Sequence, residues 1–160
     1  MPCNQRANLP QHTVPPATNS RRWPVYSDCE TNPPRKDHFV ERDGMRAAGM
    51  HLLADFWDAQ RLDDLDYMEQ TLRRAVKAAR ATLLHIHLHH FTPNGGVSGI
   101  AVLAESHISV HTWPEISFAA FDVFMCGDAV PERAIDVLRE AFSPQRVELQ
   151  EQLRGVMKDG

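Results

Sequence analysis

The segment AESHISVHTWPE, residues 104–115, places several reactive side chains close together. Ser106 carries a hydroxyl that can act as a nucleophile, His111 carries an imidazole that can accept a proton, and Glu105 and Glu115 carry carboxylates. A serine and a histidine five residues apart are common by chance. The pair by itself therefore does not identify a catalytic site.

Serine hydrolases could use such a pair, but the sequence around these serines disfavours that class of enzyme. Their nucleophile sits on a GxSxG elbow between a strand and a helix, and an acid orients the histidine. Ser98 lies in GVSGI, which has neither that spacing nor that strand-turn-helix context.

A metal site is a second use of reactive side chains, suggested by the alternating histidines in LLHIHLHH. His85, His87 and His89 alternate with apolar residues, but residues i and i+4 of a strand lie roughly 13 Å apart, so the three cannot bind one ion. A further ligand would have to come from elsewhere, and none stands at a telling spacing. The alternative without a metal is that these histidines form a polar sheet face, or are partly buried and hydrogen-bonded.

Three cysteines are widely spaced and form no CxxC pair, which fits neither a disulfide framework nor a zinc knuckle. We expect reduced thiols. Cys3 and Cys29 fall in a loose stretch and are expected to be incidental. Cys126 differs, because it follows an apolar strand and precedes Gly127.

Composition narrows the class of protein. The 160 residues carry a net charge of -4 and no cluster of Lys and Arg on any predicted element, so nucleic acid is not an expected partner. No apolar stretch approaches the roughly 18 residues needed to span a bilayer, and no hydrophobic signal core stands at the N-terminus. We expect a cytoplasmic protein.

The first 45 residues differ in composition from the rest. They hold seven of the 11 prolines, together with Asn, Thr and scattered charges. X-Pro steps resist both helices and central strands, and such a segment has little to bury. The sequence predicts a disordered or loosely packed extension over residues 1–45 and one domain over residues 46–160.

The domain is predicted to begin with a strand and a helix. HLLADFW, which carries Asp55, is a short apolar run that predicts a strand. A helix of about four turns follows, with Asp63 or Asp64 as its cap. Its apolar residues recur at spacings of three and four: Leu65, Met68, Leu72, Val76 and Ala79.

More strands and a second helix complete the domain. In ATLLHIHLHHF, the residues Leu84, Ile86 and Leu88 alternate with histidines, as in a half-buried strand. GIAVLA, HISVHTW, SFAAFDVFMC and RVELQ predict further strands, and a helix runs from about Pro131 to Phe142. This order predicts an α+β two-layer sandwich, with helices on one face of a mainly antiparallel sheet.

One long string carries a specific resemblance. HHFTPNGGVSGIAVLAESHISVHTWPE, continued by FAAFDVFMCG, resembles the S-adenosylmethionine decarboxylases of the short prokaryotic type, which carry a self-made pyruvoyl group. The resemblance runs from about His51 to the end of the last strand. Its centre is AESHISVHTWPE, with a cysteine 20 residues after the first serine.

The resemblance implies that the chain cuts itself between Glu105 and Ser106. Ser106 would become the pyruvoyl group, the only cofactor implied, and would bind the substrate amine as a Schiff base. His111 matches the histidine that accepts a proton during processing, and Ser98 matches a second processing serine. Cys126 matches the proton donor of the decarboxylation.

Substrate contacts follow from the same resemblance. Glu115 matches the acid that binds the ribose hydroxyls, Phe91 matches the aromatic that stacks on adenine, and Asp55 falls near an acid of the pocket. Trp113 is expected to pack or to rim that pocket. The implied product is decarboxylated S-adenosylmethionine, the aminopropyl donor for spermidine, made by a homodimer of cleaved two-chain protomers.

Two features depart from the family pattern. PNGGVSG carries one glycine more than the family form, and residues 1–45 have no family counterpart. The alternatives that remain are the same pyruvoyl chemistry on arginine or ornithine, a non-catalytic regulatory partner subunit, and a metal-binding protein. Intact Glu105, Ser106, His111 and Cys126 argue against the regulatory subunit.

Overall fold

The computed structural model describes residues 38–157. Within them lie two α-helices, α1 (Leu65–Ala78) and α2 (Pro131–Phe142), and a short 3-10 turn, Pro114–Ile116. The strands are β1 (Val40–Arg42), β2 (Met45–Ala47), β3 (Gly49–Trp57), β4 (Leu83–His90), β5 (Val97–Leu103), β6 (Ser106–Trp113), β7 (Phe118–Met125) and β8 (Arg146–Arg154).

Six of these strands form one sheet in the order β4-β5-β6-β7-β3-β8, and every neighbouring pair is antiparallel. Strands β4 to β7 follow one another as hairpins, whereas β3 inserts between β7 and β8. The predicted α+β sandwich with a mainly antiparallel sheet is confirmed.

Both helices pack on one face of the sheet because the strands alternate in hydrophobicity. On β3, for example, Met50, Leu52, Ala54 and Phe56 are buried and the intervening residues are not. The helices contribute Met68, Leu72, Ala75 and Val76 from α1, and Ala134, Ile135, Leu138 and Phe142 from α2. Each large apolar side chain buried here contributes about 1.5–3 kcal/mol.

The opposite side of the sheet, called the open face below, carries the alternate side chains. Asp55, Ser98, Ile100, Val102 and His111 belong to it, and they are half-buried or exposed. No helix of the described residues covers this face.

The predicted alternation on β4 is wrong at one residue. Leu84 is 64% exposed, because a β-bulge lies between Leu83 and His85. The extra residue shifts the phase, so that Leu83, Ile86 and Leu88 pack on the core. His85, His87 and His89 remain exposed on the open face, as the polar-face interpretation expects.

The segment ahead of β3 contains a hairpin. Strands β1 and β2 pair around Asp43 and Gly44, which both have positive φ, 52° and 76°, as Asp-Gly hairpin turns do. Arg42 pairs from this hairpin with Glu132 of α2 and Glu151 of β8. Residues 1–37 of the predicted extension lie outside the described residues, as do Cys3 and Cys29.

Helix α1 begins as the sequence suggests. Of the two candidate caps, Asp64 is the one whose side chain accepts the hydrogen bond from the Tyr67 amide, at 3.0 Å. Among residues 38–157, neither helix is long and apolar enough to cross a membrane.

Candidate active site

A two-residue turn joins β5 to β6 at the predicted cleavage site. Leu103 pairs with Ser106, and Ala104 and Glu105 form the turn between them. Glu105 has φ 68°, a left-handed conformation that costs a residue with a side chain about 1–2 kcal/mol. The first residue after this strained position is Ser106, at the start of β6.

Cys126, just beyond the end of β7, contacts both sides of the Glu105–Ser106 peptide. Its thiol donates a hydrogen bond to the carbonyl oxygen of Glu105 at 2.8 Å. Its backbone N–H donates to Ser106 Oγ at 3.3 Å, and the two side chains meet at 3.9 Å from Oγ to Sγ. This arrangement polarises the carbonyl beside a serine hydroxyl.

The thiol is suited to donating a proton. Burial raises the pKa of Cys126 above that of a free thiol, the Ser106 hydrogen bond lowers it, and the charge of Glu105 raises it further. A raised pKa keeps the thiol protonated at neutral pH. We call Glu105, Ser106 and Cys126 the cleavage cluster.

A second group of predicted residues lies together at the far end of β6. Ser98 on β5 and His111 on β6 are cross-strand partners, and Ser98 Oγ lies 2.9 Å from His111 Nδ1. Ser98 also lines a cavity of about 420 Å³ with Phe91, Glu115 and Trp113. We call Ser98, His111, Phe91, Trp113 and Glu115 the pocket group.

The loop that precedes Ser98 closes one side of that cavity. Phe91 N–H donates to the Gly96 carbonyl at 2.7 Å, and Gly95 N–H donates to the Phe91 carbonyl at 2.8 Å. Gly95 has φ 75°, and a Cβ on Gly96 would stand 2.8 Å from the Thr112 carbonyl oxygen. Both glycines of PNGG are therefore needed for this loop, and Phe91 still faces the cavity.

Within one chain the two groups are far apart. Ser106 and His111 are five residues apart on β6, and a strand advances about 3.3 Å per residue, which separates them by roughly 16 Å. The structure thus brings Cys126 to Ser106, and His111 to Ser98, but does not bring His111 to Ser106 of the same chain.

Asp55 lies on the open face in the same row as the pocket group. Across the sheet, Ser98 pairs with His111, His111 with Ala120, and Ala120 with Asp55. Burial raises the pKa of Asp55, and the charges of Glu148 and Asp122 raise it further. Asp55 does not line the 420 Å³ cavity of its own chain.

Two contacts went unnoticed in the sequence. His38 Nδ1 lies 2.8 Å from a carboxylate oxygen of Glu105, and Asp122 accepts a hydrogen bond from Ser109 at 2.9 Å. In the sequence, Asp122 stands out as the one charged residue of the apolar run FAAFDVFM, whereas no pattern distinguishes His38. In residues 38–157, no three His, Cys, Asp or Glu side chains cluster as metal ligands do.

Comparison with known proteins decides the family. A family model described as S-adenosylmethionine decarboxylase matches residues 50–155. The chain belongs to the S-adenosylmethionine decarboxylase family. The resemblance stated from the sequence is confirmed, and with it the prediction that the protein is an enzyme.

Relatives of the decarboxylase family align over most of their own length. Proteins named S-adenosylmethionine decarboxylase proenzyme from Thermomicrobium roseum and Methanococcus maripaludis are 47% and 44% identical over 116 and 119 residues. Each alignment covers 72% of this chain, and 100% and 97% of the relatives. The crystal structure of the adenosylmethionine decarboxylase from Aquifex aeolicus matches with a TM-score of 0.65 and 34% identity, over 71% of this chain and 96% of that one.

The decarboxylase family match bears on the two groups of side chains. It spans Asp55, the pocket group and the cleavage cluster, but it begins 12 residues after His38. The contact between His38 and Glu105 therefore joins a residue outside the family match to one within it.

Proposed function

We propose that this chain is a self-processing decarboxylase that converts S-adenosylmethionine to its decarboxylated form and carbon dioxide. The observation that carries the proposal is the cleavage cluster. A protonated thiol contacts the carbonyl of a strained residue, and a serine hydroxyl follows directly in the chain. The family membership of the chain supports the substrate.

The cleavage cluster contains the groups that the first step requires. Ser106 Oγ attacks the carbonyl carbon of Glu105 and its proton passes to the amide nitrogen, so that the C–N bond breaks and an ester forms. Negative charge develops on the carbonyl oxygen during the attack. The Cys126 thiol stabilises that charge by donating to the oxygen from 2.8 Å.

The second step is a β-elimination. A base removes the Cα proton of residue 106, the Cβ–Oγ bond breaks, and Glu105 leaves as a carboxylate at the end of the fragment 1–105. Residue 106 becomes a dehydroalanine, which tautomerises, adds water and releases ammonia. The fragment that begins at residue 106 then carries a pyruvoyl group in place of the serine.

The residues around Ser106 fit such a group. A pyruvoyl carbonyl, once formed, accepts the electrons released when a bound amino acid loses carbon dioxide. Cys126 would lie beside it, because its Sγ is 3.9 Å from Ser106 Oγ in the uncut chain, and Oγ itself leaves with Glu105. The burial that keeps the thiol protonated also lets Cys126 return a proton to the substrate after decarboxylation.

The base of the second step comes, in our proposal, from a second copy of the chain. His111 carries an imidazole that can act as a base and lies 2.9 Å from Ser98 Oγ, but it is roughly 16 Å from Ser106 on the same strand. A two-fold symmetric dimer brings the pocket group of one copy to the cleavage cluster of the other.

The open face provides the surface for that dimer. Ile100 and Val102 of β5 are each 37% exposed there, and His111 lies on the same face. Covering these apolar side chains with the same face of a second copy removes them from water. The dimer thereby explains both the exposed apolar residues and the divided site.

The pocket group fits an adenosine. Phe91 and Trp113 offer aromatic surfaces, and Glu115 offers a carboxylate that can accept hydrogen bonds from two ribose hydroxyls. An aromatic face also attracts the sulfonium charge of the substrate. In the dimer, Asp55 extends the acidic lining of this region.

To test whether each active site combines residues of two copies, two inactive variants with different tags are co-expressed. Ser106→Ala lacks the nucleophile and His111→Ala lacks the base, so each alone should remain one uncut chain. In a mixed dimer, the His111→Ala chain keeps Ser106 and meets an intact His111 from its partner. Intact mass should then show about half of the His111→Ala chains cut, given random pairing.

Other outcomes would contradict the proposal. Efficient cutting of Ser106→Ala alone would refute the nucleophile, and no cutting in the mixed sample would place the base within the same chain. Substrate choice is tested by carbon dioxide release from S-adenosylmethionine, arginine and ornithine with the cut wild-type protein. Release from arginine or ornithine alone would reject the adenosyl substrate.

A further inference from the structure

His38 connects the residues upstream of the family match to the cleavage cluster. Its carbonyl oxygen accepts a hydrogen bond from Gly127 N–H at 3.0 Å, and its imidazole Nδ1 lies 2.8 Å from Glu105 Oε2. Gly127 directly follows Cys126. The backbone of His38 is thus anchored beside the thiol, and its side chain contacts the residue whose carbonyl is attacked.

Glu105 is consequently held at two points. Its main-chain carbonyl accepts from the Cys126 thiol, and its carboxylate lies 2.8 Å from His38 Nδ1, while its backbone adopts the unfavourable φ of 68°. A carboxylate that accepts from Nδ1 requires the imidazole proton on that nitrogen. Removing the imidazole frees the side chain and leaves one contact to keep the carbonyl aligned.

We propose that His38 is a positioning residue for self-cleavage, which holds Glu105 in the conformation that Ser106 attacks. The inference rests on the proposed function. It assigns to His38, which precedes the family match, a role in forming the active enzyme. Attack by Ser106 depends on the angle and distance between hydroxyl and carbonyl, and small losses of alignment slow such steps.

The expected effect is modest, because His38 and Glu105 are about half exposed, at 49% and 52%. Ion pairs between side chains exposed to this extent change an equilibrium constant or a rate constant by up to about fivefold. We therefore expect His38→Ala to slow cleavage two- to fivefold, by about the value of this one contact.

The test follows cleavage of the full chain with time after cell-free synthesis, by denaturing gel and intact mass. His38→Ala should be slow, and His38→Asn should cut within about twofold of wild type, because its amide N–H can replace the Nδ1–H donor. Arg73→Ala is the matched control, since it removes an exposed ion pair with Glu69 on α1, away from the cluster. It should cut at the wild-type rate.

A double-variant cycle separates positioning from general destabilisation. In a Glu105→Ala background the partner of His38 is absent, so adding His38→Ala should cause no further slowing. Equal rates for wild type and His38→Ala would overturn the inference, and so would an unrescued His38→Asn or an additive double variant. If His38→Ala does not fold, His38→Leu replaces it in the same comparison with His38→Asn.

The control that separates the two proposals is the wild-type chain. If it stays uncut, or if Ser106→Ala cuts, the proposed function fails and the His38 result is irrelevant. If wild type cuts at Glu105–Ser106 and His38→Ala matches it, only the positioning role of His38 fails.

Discussion

Cys126 illustrates how one side chain can serve two reactions. In the uncut chain its thiol contacts the Glu105 carbonyl. In our proposal the same protonated thiol remains beside residue 106 after cleavage and returns a proton to the substrate. Both uses require a neutral thiol rather than a thiolate. Partial burial favours the neutral form, because a charge is poorly solvated there.

The protonation of Cys126 can be measured directly. In Ser106→Ala, which remains uncut in our proposal, the hydroxyl that lowers the pKa of Cys126 is absent, so burial should dominate. We expect the alkylation rate of Cys126 by iodoacetamide, followed by peptide mass spectrometry, to reach half its maximum above about pH 8.5, the ordinary thiol value. The same peptide in denaturant is the control, and a native midpoint below it would contradict the neutral donor.

At the scale of elements, the start of α1 supports the pocket group. Asp64 caps the helix at the Tyr67 amide, and Arg61 pairs with Asp64. Two residues before the cap, the Leu62 carbonyl accepts a hydrogen bond from Thr112 Oγ1, which also accepts one from Val97 N–H. The ends of β5 and β6 that carry Ser98 and His111 are therefore tied to the helix start.

Loss of the cap should lower stability. Asp64→Ala removes the acceptor for Tyr67 N–H, and we expect Tm to fall by about 2–6 °C at pH 7 in thermal denaturation. Asp63→Ala is the matched control, because Asp63 is the neighbouring cap candidate that does not accept from Tyr67. A loss of equal size from Asp63→Ala would contradict the assignment.

The effect should depend on pH in a defined direction. The Tyr67 hydrogen bond, and then Arg61, lower the pKa of Asp64 below that of an ordinary aspartate. A lowered folded-state pKa gives stability above the unfolded value, and that stability is lost as pH falls through the folded value. The Tm difference between wild type and Asp64→Ala should therefore shrink below about pH 4.

At the scale of the whole molecule, one face of the sheet is covered by no helix of residues 38–157. The open face carries His85, His87 and His89 of β4, the apolar pair Ile100 and Val102 of β5, and His107, Ser109 and His111 of β6. Antiparallel sheets tolerate one solvated face, but that face is normally polar. Exposed Ile100 and Val102 mark it as an interface in our proposal.

Disrupting this face should separate the subunits of the proposed dimer and slow cleavage. Ile100→Glu places a charge among apolar side chains, so we expect sedimentation to show a monomer where wild type is a dimer, with unchanged circular dichroism. Cutting should slow at least tenfold at micromolar concentration, since a monomer lacks His111 beside Ser106. Leu149→Glu is the matched control: Leu149 is 39% exposed and lies on the helix side, opposite Ala54.

Sequence patterns predicted much of this fold because they act locally. The spacing of apolar residues in α1, the alternation on β3 and Pro131 at the first turn of α2 each depend on neighbouring residues. The bulge at Leu84 was missed, since one extra residue shifts the phase without changing composition. The Asp-Gly pair at residues 43 and 44 is typical of a hairpin turn, but the predicted boundary at residue 45 falls inside this hairpin.

By itself, the sequence determined which reactive groups the protein contains: a glutamate followed by a serine, and a histidine and a cysteine at fixed spacings from them. These residues lie in a string that is specific to one enzyme family. Only the tertiary structure decided which of these groups meet. Strand pairing brings Cys126 to Glu105 across 21 residues of sequence. It also places Ser106 and His111 at opposite ends of β6, because a strand is extended and separates residues that a turn or helix would keep close.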